Sequence, residues 1–312
     1  MKKQLLELLI CPNCLPLEYS LVADISKEDK GDIETGSLHC PKCTTHFPIT
    51  EGVADLDPCS GDNDQPTNKY ENMEVVSSYL WSHYGELMND AHASQAYATW
   101  ARLITPQGGI ALDAGGAVGR FTFEMSCCCD FAIGIDTSHA FIQAARRLMR
   151  ERTLAVRLKD EGLLHQEVTI HLPDAWHSDK VEFVVANALA LPFRKQSIAV
   201  FSSLNLVDKV PSPLLHLQEM NRVTNDTGAQ FLLSDPFSWS TEAASVAQWL
   251  GGTTEGPFAG KGLANVAALL ADNQGLLTPA WQVGTPGSVW WKIRTHSNHY
   301  ELIQSCFIHA CR

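Results

Sequence analysis

The chain has 312 residues, of which 45% are hydrophobic, so it is long enough to bury one large core and a small additional module. Its formal net charge of −12 argues against nucleic acid as a partner, because non-specific binding to nucleic acid relies on a positive surface. We find no long apolar run and no small-residue cleavage site near the N-terminus, so we expect neither a membrane span nor a signal peptide. Ten cysteines, four of them spaced as metal ligands, favour a reducing, cytoplasmic setting over secretion.

Residues 1–57 are predicted to form a small unit held together by a metal ion. Two C-x-x-C pairs, Cys11 with Cys14 and Cys40 with Cys43, are separated by 25 residues. Each pair places two thiolates on one tight turn, and two such turns complete a tetrahedral set of four sulfur ligands that suits zinc. The alternatives are a redox pair or unconnected thiols. Because protein thiolates take all four positions, we expect a structural rather than a catalytic zinc site.

The segments on either side of these cysteines are similar to a known family. Residues 5–12 (LLELLICP) and 47–53 (FPITEGV) resemble the small zinc proteins that activate some tRNA and release-factor methyltransferases. The resemblance is confined to this N-terminal unit, and it implies a zinc-binding fold without by itself implying the activating role. The unit is acidic, since residues 1–60 contain five Lys and Arg against ten Asp and Glu.

A linker and a helical region follow the N-terminal unit. Residues 58–69 are polar, contain Pro and Gly and lack periodicity, so we interpret them as a linker to a larger domain over residues 70–312. Residues 70–104 have apolar residues at helical spacing and are predicted to be helical. The apolar residues with this spacing are Val75, Val76, Tyr79, Leu80, Ala96, Tyr97, Trp100 and Leu103. His83 and Tyr84 lie between the two apolar stretches.

The most informative segment is residues 110–136, which is typical of a nucleotide-binding strand–loop–helix–strand unit. Its loop contains three glycines that let the backbone turn sharply and approach a ligand closely. These are Gly115, Gly116 and Gly119. Asp136 ends the second strand, about 20 residues after the glycine loop begins. An acid at this spacing along the sequence can accept hydrogen bonds from both ribose hydroxyls of a nucleotide.

The spacing within the loop distinguishes between two cofactors. A dinucleotide fingerprint, G-x-G-x-x-G, needs glycine where Ala117 and Arg120 stand. The pattern of S-adenosylmethionine (SAM) methyltransferases is acid-x-G-x-G-x-G, which Asp113, Gly115 and Gly119 match and from which Ala117 departs. The spacing therefore favours SAM over NAD, and we expect the loop and its acid to hold the methionine part of SAM.

Strands and helices alternate after this unit, and the chain is predicted to end in a β-hairpin over residues 289–293 and 306–309. Alternation implies a doubly wound α/β arrangement with a mostly parallel sheet. With the SAM pattern, it predicts a class I SAM methyltransferase fold with seven strands. Ligands of such sheets bind beyond the carboxyl ends of the strands. The residues predicted at those ends are Asp113, Asp136, Asn187, Asn205, Asp208 and Asp235.

Two pairs of these residues are candidates for the cofactor and the reaction. Asn187 and Ala188 occupy the place where many such enzymes have an acidic residue near the adenine, and we expect them to contact the cofactor. Asn205 and Asp208 follow the fourth strand, which in this fold faces the transferred methyl group. Polar side chains there can orient the nucleophile or take its proton. A helix-capping role is the alternative for Asp208.

Motifs outside the SAM loop also carry a resemblance. They lie in residues 83–85, 112–120, 158–162, 205–209, 235–239, 249–252 and 293–300. Together they resemble the methyltransferase domain of ovothiol biosynthesis, a 5-thiohistidine (mercaptohistidine) N-methyltransferase. Two features depart from that family. Ala186 and Asn187 replace its Gly-Asp near the adenine, and a zinc unit stands in place of the sulfoxide-synthase part of the fused enzymes.

The resemblance implies in-line methyl transfer from SAM to an imidazole nitrogen of a small thiol-imidazole amino acid. The attacking nitrogen must carry no proton, and Tyr84, Asn205 or Asp208 would set that tautomer as the catalytic residues. Arg294 is suited to clamp the carboxylate of the amino acid in a bidentate pair, with a surface ion pair as the alternative. The expected substrate-binding residues are His83, Tyr84, Arg294, His296 and Tyr300.

Two other functions stay open on the sequence alone. The first is a methyltransferase of the translation apparatus that acts on RNA or protein and docks through the zinc unit, although the acidic charge speaks against it. The second is a non-catalytic SAM-binding protein, which the intact glycine loop disfavours. For the zinc unit, three roles are compatible with the sequence: closing over the pocket, joining two copies of the chain as a homodimer, or docking a partner enzyme.

Overall fold

The structure is a computed structural model that describes residues 1–60 and 68–312. Most of the predicted linker, residues 61–67, lies outside the described residues. Within the described part of the chain, no helix combines the length and the apolar character needed to cross a membrane.

The N-terminal unit is a four-stranded antiparallel sheet. Its strands are β1 (Val22–Asp29), β2 (Asp32–His39), β3 (His46–Thr50) and β4 (Val53–Ala54). They are hydrogen-bonded in the order β1-β2-β3-β4. Burial alternates along β3, where Phe47 and Ile49 are buried and their neighbours are exposed. This alternation is expected where one face of a sheet contacts a core and the other faces solvent.

Helices precede the large sheet, as predicted for residues 70–104. They are α1 (Met73–Tyr84) and α2 (Ala96–Ala101). Asn72 caps α1, because its side-chain oxygen accepts a hydrogen bond from the Glu74 N–H at 2.8 Å. This satisfies a first-turn donor that has no partner within the helix.

The remaining elements build the large domain. Its strands are β5 (Ile110–Ala114), β6 (Phe131–Asp136), β7 (Thr153–Lys159), β8 (His165–His171), β9 (Val181–Val185), β10 (Val200–Leu204), β11 (Gln230–Asp235), β12 (Gln282–Val283), β13 (Gly287–His296) and β14 (His299–Cys311). Its helices are α3 (Arg120–Met125), α4 (His139–Glu151), α5 (Pro213–Val223) and α6 (Gly262–Ala271). The large sheet has the order β12-β14-β11-β10-β5-β6-β9, with β13 paired to β14.

The predicted doubly wound architecture is confirmed. The five strands β9, β6, β5, β10 and β11 pair in parallel, whereas every pair that includes β14 is antiparallel. The sheet has eight strands rather than the predicted seven. The reason is the length of β14, which pairs with β13 over residues 299–307 and still reaches β12 at its last residues.

A separate two-stranded sheet, β7 with β8, follows α4 where the sequence analysis assigns no element. Leu154, Val156 and Leu158 are buried, and the residues between them are exposed. The buried face packs against α1 and α4. The β7–β8 hairpin therefore covers the sides of α1 and α4 that it contacts.

The N-terminal unit packs onto the β9 edge of the large sheet. Leu56 N–H donates to the Val185 carbonyl at 2.8 Å, and Ile10 N–H donates to the Pro192 carbonyl at 2.9 Å. Apolar residues of the two parts belong to one continuous core. They include Leu5, Leu9, Phe47, Ile133, Val184 and Phe193. The zinc-bearing unit thus docks on the large domain of its own chain.

Buried ion pairs cross the same interface. The Arg146 guanidinium of α4 contacts Asp32 of β2 at 2.8 Å and also pairs with Glu182 of β9. The Met1 ammonium lies 2.5 Å from Asp32. Although burial alone would raise the pKa of Asp32, these two cations lower it to about 2. Asp32 therefore stays ionised and links the two parts of the chain.

Candidate cofactor site and zinc site

The glycine loop follows β5 at the carboxyl edge of the sheet and requires unusual backbone angles. Gly115 and Gly119 have φ values of +69° and +86°, and Ala117 has +46°. Glycine adopts this region without steric cost, whereas other residues seldom do. A Cβ added to Gly119 would also lie 2.6 Å from the Phe183 ring. The loop is thus shaped for close backbone approach by a ligand.

Asp136 lies beside the loop at the end of β6, as predicted. Its carboxylate accepts hydrogen bonds from Ala117 N–H at 3.1 Å and Ser138 N–H at 2.9 Å. Burial raises the pKa of Asp136 to about 6. A carboxylate accepts about four hydrogen bonds, so this half-buried group retains acceptor positions for two ribose hydroxyls. The position of Asp136 therefore suits the ribose of SAM, and binding of the methionine part by the loop stays a prediction.

Asp113 has a different setting from the one predicted for a direct ligand. It is buried, and its two oxygens accept hydrogen bonds from the hydroxyls of Ser202 at 2.8 Å and Thr122 at 2.9 Å. Burial raises its pKa to about 6. A Cβ added to Gly116 would lie 2.9 Å from Asp113 Oδ2, so Asp113 lies directly against the loop. Its direct contact with the methionine part of SAM stays a prediction. The sequence analysis missed Ser202 and Thr122, which no motif distinguishes.

Asn187 follows β9 at the same edge of the sheet. Its Oδ1 accepts a hydrogen bond from Leu189 N–H at 3.0 Å, and its Nδ2 donates to the Asp57 carboxylate at 3.4 Å. Ala188 is buried, and its carbonyl lies 3.3 Å from His216 Nδ1. Asp57 is the last residue of the N-terminal unit, so the fold brings to this edge an acid that sequence reasoning missed.

His83 and Tyr84 lie buried at the end of α1, next to the loop. The Tyr84 hydroxyl donates to the Val118 carbonyl at 2.8 Å. His83 Nε2 lies 2.6 Å from the Tyr97 hydroxyl, and its Nδ1 has no hydrogen-bond partner in the described part of the chain. Burial, with a smaller contribution from Arg120, lowers the pKa of His83 to about 3, so it is neutral at physiological pH. The sequence pattern indicated only an apolar role for Tyr97.

Asn205 follows β10 and has a φ of +56°. Its Oδ1 accepts a hydrogen bond from the Ser305 hydroxyl at 2.5 Å, and its N–H donates to the Ser234 carbonyl at 2.6 Å. The side chain is half-buried at the carboxyl edge that also carries Asp136. This position agrees with a group that faces the transferred methyl group, and its catalytic role stays a prediction.

Asp208 is buried and contacts the segment that follows β11. Its Oδ2 accepts a hydrogen bond from Ser238 N–H at 2.7 Å and lies 3.0 Å from Lys209 Nζ. Its Oδ1 has no partner among the described residues. Burial, together with the charge of Asp208, raises the pKa of the neighbouring Asp235. The hydrogen bond from Ser238 holds the segment after β11 against Asp208. Proton transfer by Asp208 stays a prediction.

The three C-terminal residues predicted for the substrate lie in or beside the β13–β14 hairpin. Arg294 pairs with Tyr300 across the two strands, and the Tyr300 ring lies 5.3 Å from the Trp81 ring. Arg294 is buried and lines a cavity of about 670 Å³ between α1, α4 and β7. His296 lies instead at the tip of the hairpin, where its ring is 5.6 Å from the His299 ring.

The cavity and the glycine loop contact different parts of α1: the cavity is lined by residues between Met73 and Leu80, whereas the loop contacts the last residue, Tyr84. Val76 and Leu80 line the cavity, whereas Tyr84 turns toward the loop. Among the described residues that line the cavity, none belongs to the loop. The structure therefore gathers the cofactor candidates at one edge of the sheet and places Arg294 in a cavity that the described loop residues do not line.

The four predicted cysteine ligands come together in the N-terminal unit. Their sulfur atoms all lie within 4.8 Å of one another, with Cys11 and Cys43 at 3.6 Å and Cys14 and Cys40 at 3.8 Å. Four sulfurs that surround zinc tetrahedrally at about 2.3 Å are about 3.8 Å apart, so these distances fit the ion. The predicted Cys₄ cluster is confirmed.

Comparisons with known families agree with both sites. Residues 112–232 match the family described as "Methyltransferase domain", and residues 2–52 match "Trm112p-like protein". Together with the doubly wound sheet and the glycine loop, these matches identify the chain as a SAM-dependent methyltransferase of the class I fold. Its N-terminal unit is a Trm112-like zinc module.

Similar solved structures include three with low sequence identity. YcgJ from Bacillus subtilis is 14% identical, with a TM-score of 0.42 over 68% of this chain and 95% of its own. A putative methyltransferase from Bacillus halodurans is 12% identical, with a TM-score of 0.41 over 69% and 97%. A chain of the complex between Haloferax volcanii Trm112 and a putative methyltransferase is 14% identical, with a TM-score of 0.44 over 79% and 99%. A comparison with curated proteins finds no match to this chain.

Proposed function

We propose that this methyltransferase transfers the methyl group of SAM to an imidazole nitrogen of a small thiol-imidazole amino acid. Residues 83–85, 205–209 and 293–300 support the proposal through their resemblance to the 5-thiohistidine N-methyltransferases. The observation that carries it is the buried, incompletely partnered guanidinium of Arg294.

Arg294 differs from two other buried arginines in its surroundings. Arg120 and Arg146 each form ion pairs with two carboxylates. Those carboxylates are Glu86, Glu124, Asp32 and Glu182. Arg294 is 5% exposed, its Nε has no hydrogen-bond partner, and no ion pair joins it to a carboxylate within the described residues. A buried cation without a counter-charge is unfavourable, so an anionic ligand would complete this site.

The cavity beside Arg294 has the size and charge for a small amphipathic anion. Its volume of about 670 Å³ is in the range of small-molecule pockets. Apolar side chains such as Val76 and Leu80 form its walls. Arg157 adds positive charge, whereas Lys159 is paired with Glu74 of the same lining at 3.0 Å. A carboxylate on the substrate would form a bidentate pair with the guanidinium. The proposal requires a substrate that reaches from Arg294 past α1 to the glycine loop.

Positioning is the main contribution that this site can make to the reaction. In-line displacement needs the ring nitrogen close to the methyl carbon and free of its proton, and correct placement supplies much of the rate. Asn205 is half-buried at the carboxyl edge and would fix the ring by hydrogen bonding. Tyr84 and Asp208 are buried and would act by positioning the loop and the segment after β11.

Titration calorimetry with 5-thiohistidine tests the proposal on protein preloaded with S-adenosylhomocysteine. We expect Arg294→Ala to bind roughly 30-fold more weakly than the wild type, because a charged hydrogen-bonded pair is lost. Arg102→Ala is the matched control, since Arg102 is exposed and does not line the cavity. No binding by folded, cofactor-loaded wild type would reject this substrate, and equal losses in both variants would reject the clamp.

The match to Trm112p-like proteins favours a second candidate, a methyltransferase that modifies RNA or protein of the translation apparatus. Against it, the sheet edge contacted by the zinc module belongs to the same chain, and the net charge is −12. Binding of tRNA that weakens steeply with added salt would favour this candidate. Weak, salt-insensitive association would support the small-molecule proposal.

A further inference from the structure

The segment that leaves the zinc module runs along the edge of the large sheet. Asp55 pairs with Val185 in parallel register, and Leu56 N–H donates to the Val185 carbonyl at 2.8 Å. Because the segment is parallel to β9, it ends at the same carboxyl edge as the glycine loop and Asp136. Asp57 therefore lies on the cofactor side of the sheet.

Asp55 connects this segment to α4, the helix that follows Asp136, through a hydrogen bond with His139. Its Oδ2 lies 3.1 Å from His139 Nε2, at the start of α4, and the hydrogen bond raises the pKa of His139. Its Oδ1 accepts hydrogen bonds from the Ser60 hydroxyl at 2.7 Å and from Asp57 N–H at 3.2 Å. The position of Asp57 therefore depends on contacts that Asp55 and Leu56 make with α4 and β9, and not on the zinc module alone.

Asp57 and Asn187 together present a carboxylate and an amide at one place. The Asn187 amide nitrogen donates to Asp57 Oδ1 at 3.4 Å, and both side chains are half-buried. Asn187 stands at the position where the SAM site is expected to hold the adenine, and an amide replaces the expected acid there. Residue 187 is an asparagine and has no carboxylate, but the carboxylate of Asp57, from the zinc module, lies next to it.

We propose that Asp57 completes the adenine end of the SAM site. Its carboxylate accepts a hydrogen bond from the 6-amino group of adenine, and Asn187 faces the ring nitrogens. The zinc module then contributes directly to cofactor recognition within its own chain. The inference rests on the SAM-dependent class of the enzyme and is independent of the methyl acceptor.

A carboxylate only accepts hydrogen bonds, so it distinguishes between two purines. Adenine offers a donor at its 6-position, whereas hypoxanthine offers an oxo group that a carboxylate repels. S-Adenosylhomocysteine should therefore bind more tightly than S-inosylhomocysteine, and the preference should depend on Asp57.

Titration calorimetry of the full chain with these two ligands tests the proposal without any methyl acceptor. We expect Asp57→Asn to weaken binding of S-adenosylhomocysteine roughly tenfold and to reduce the preference for adenine over hypoxanthine. Asp24→Asn is the matched control, because Asp24 is an exposed acid of the same module. It should bind both ligands as the wild type does. Adding Asn187→Asp to Asp57→Asn should restore the preference.

Unchanged affinity and unchanged preference in Asp57→Asn, with the melting temperature of the wild type, would overturn the proposal. An equal loss for both ligands would also overturn it, because Asp57 would then act on the fold of the site and not on the 6-position. Since only cofactor products are titrated, neither result depends on whether 5-thiohistidine is the substrate.

Discussion

Asp136 shows how a carboxylate that is predicted to bind the ribose of SAM is held in an unfavourable setting. Burial raises its pKa to about 6, above the value of about 3.9 for an unfolded chain. Protonation of Asp136 is therefore more favourable in the folded state. Its contribution to the free energy of unfolding is fully present below the unfolded pKa and is lost as the pH rises through about 6.

At neutral pH, Asp136→Asn should raise the free energy of unfolding of the ligand-free protein and weaken S-adenosylhomocysteine binding by roughly tenfold. The amide avoids the cost of a buried charge, but it is a poorer acceptor for ribose hydroxyls. In the wild type, affinity should fall as the pH is lowered through about 6, when the carboxylate becomes protonated. Urea denaturation and calorimetry measure both effects, with the exposed Asp174→Asn as control. A destabilised variant with unchanged affinity would contradict this account.

At the scale of elements, the turn between β5 and α3 depends on a glycine for two separate reasons. Gly119 has a positive φ, and a Cβ there would overlap the Phe183 ring of β9. Gly162, in the hairpin between β7 and β8, shares the positive φ of +59° but has no atom within 4 Å of an added Cβ. Substituting Gly162 therefore tests backbone strain alone, whereas substituting Gly119 tests backbone strain together with steric overlap.

Gly119→Ala should lower the free energy of unfolding by about 3 kcal/mol, from left-handed strain and forced repacking combined. Gly162→Ala should cost about 1 kcal/mol, from strain alone. Guanidinium denaturation of the two variants measures the difference. Equal losses at both sites would show that the contact with Phe183 relaxes without cost.

At the scale of the whole molecule, the zinc module and the methyltransferase domain share one core and a set of buried charges. Arg146 is buried and neutralises carboxylates from both parts, Asp32 and Glu182. Its neighbour Arg147 is exposed, and among the described residues it forms an ion pair only with Glu151, at 3.1 Å. We therefore expect Arg146 to contribute much more than the adjacent Arg147 to the free energy of unfolding.

Arg146→Ala should lower the free energy of unfolding by about 3–5 kcal/mol, because it leaves the buried Glu182 without its ion-pair partner and removes one of the cations that pair with Asp32. Arg147→Ala should change it by no more than about 0.5 kcal/mol. Scanning calorimetry should show one transition for the wild type, since the two parts share a core. Two separate transitions, or similar effects of the two substitutions, would contradict a common folding unit.

Much of the fold could be predicted because its signals are local. The two C-x-x-C pairs, the glycine spacing after residue 113 and the acid at residue 136 each reflect a short-range geometric requirement. The β7–β8 hairpin could not be predicted in this way, because it is stabilised by burial against α1 and α4 rather than by a turn motif. Tyr97 was part of an apolar pattern, and only the fold brings its hydroxyl to His83.

The sequence by itself determined the class of the enzyme, the zinc ligands and the strand ends that carry polar groups, since these follow from the spacing of neighbouring residues. The tertiary structure alone decided that the module docks on β9, that Asp57 meets Asn187 across 130 positions, and that Arg294 lines a cavity beside α1. Those contacts join residues distant in the chain, and burial of a shared core rather than local periodicity selects them.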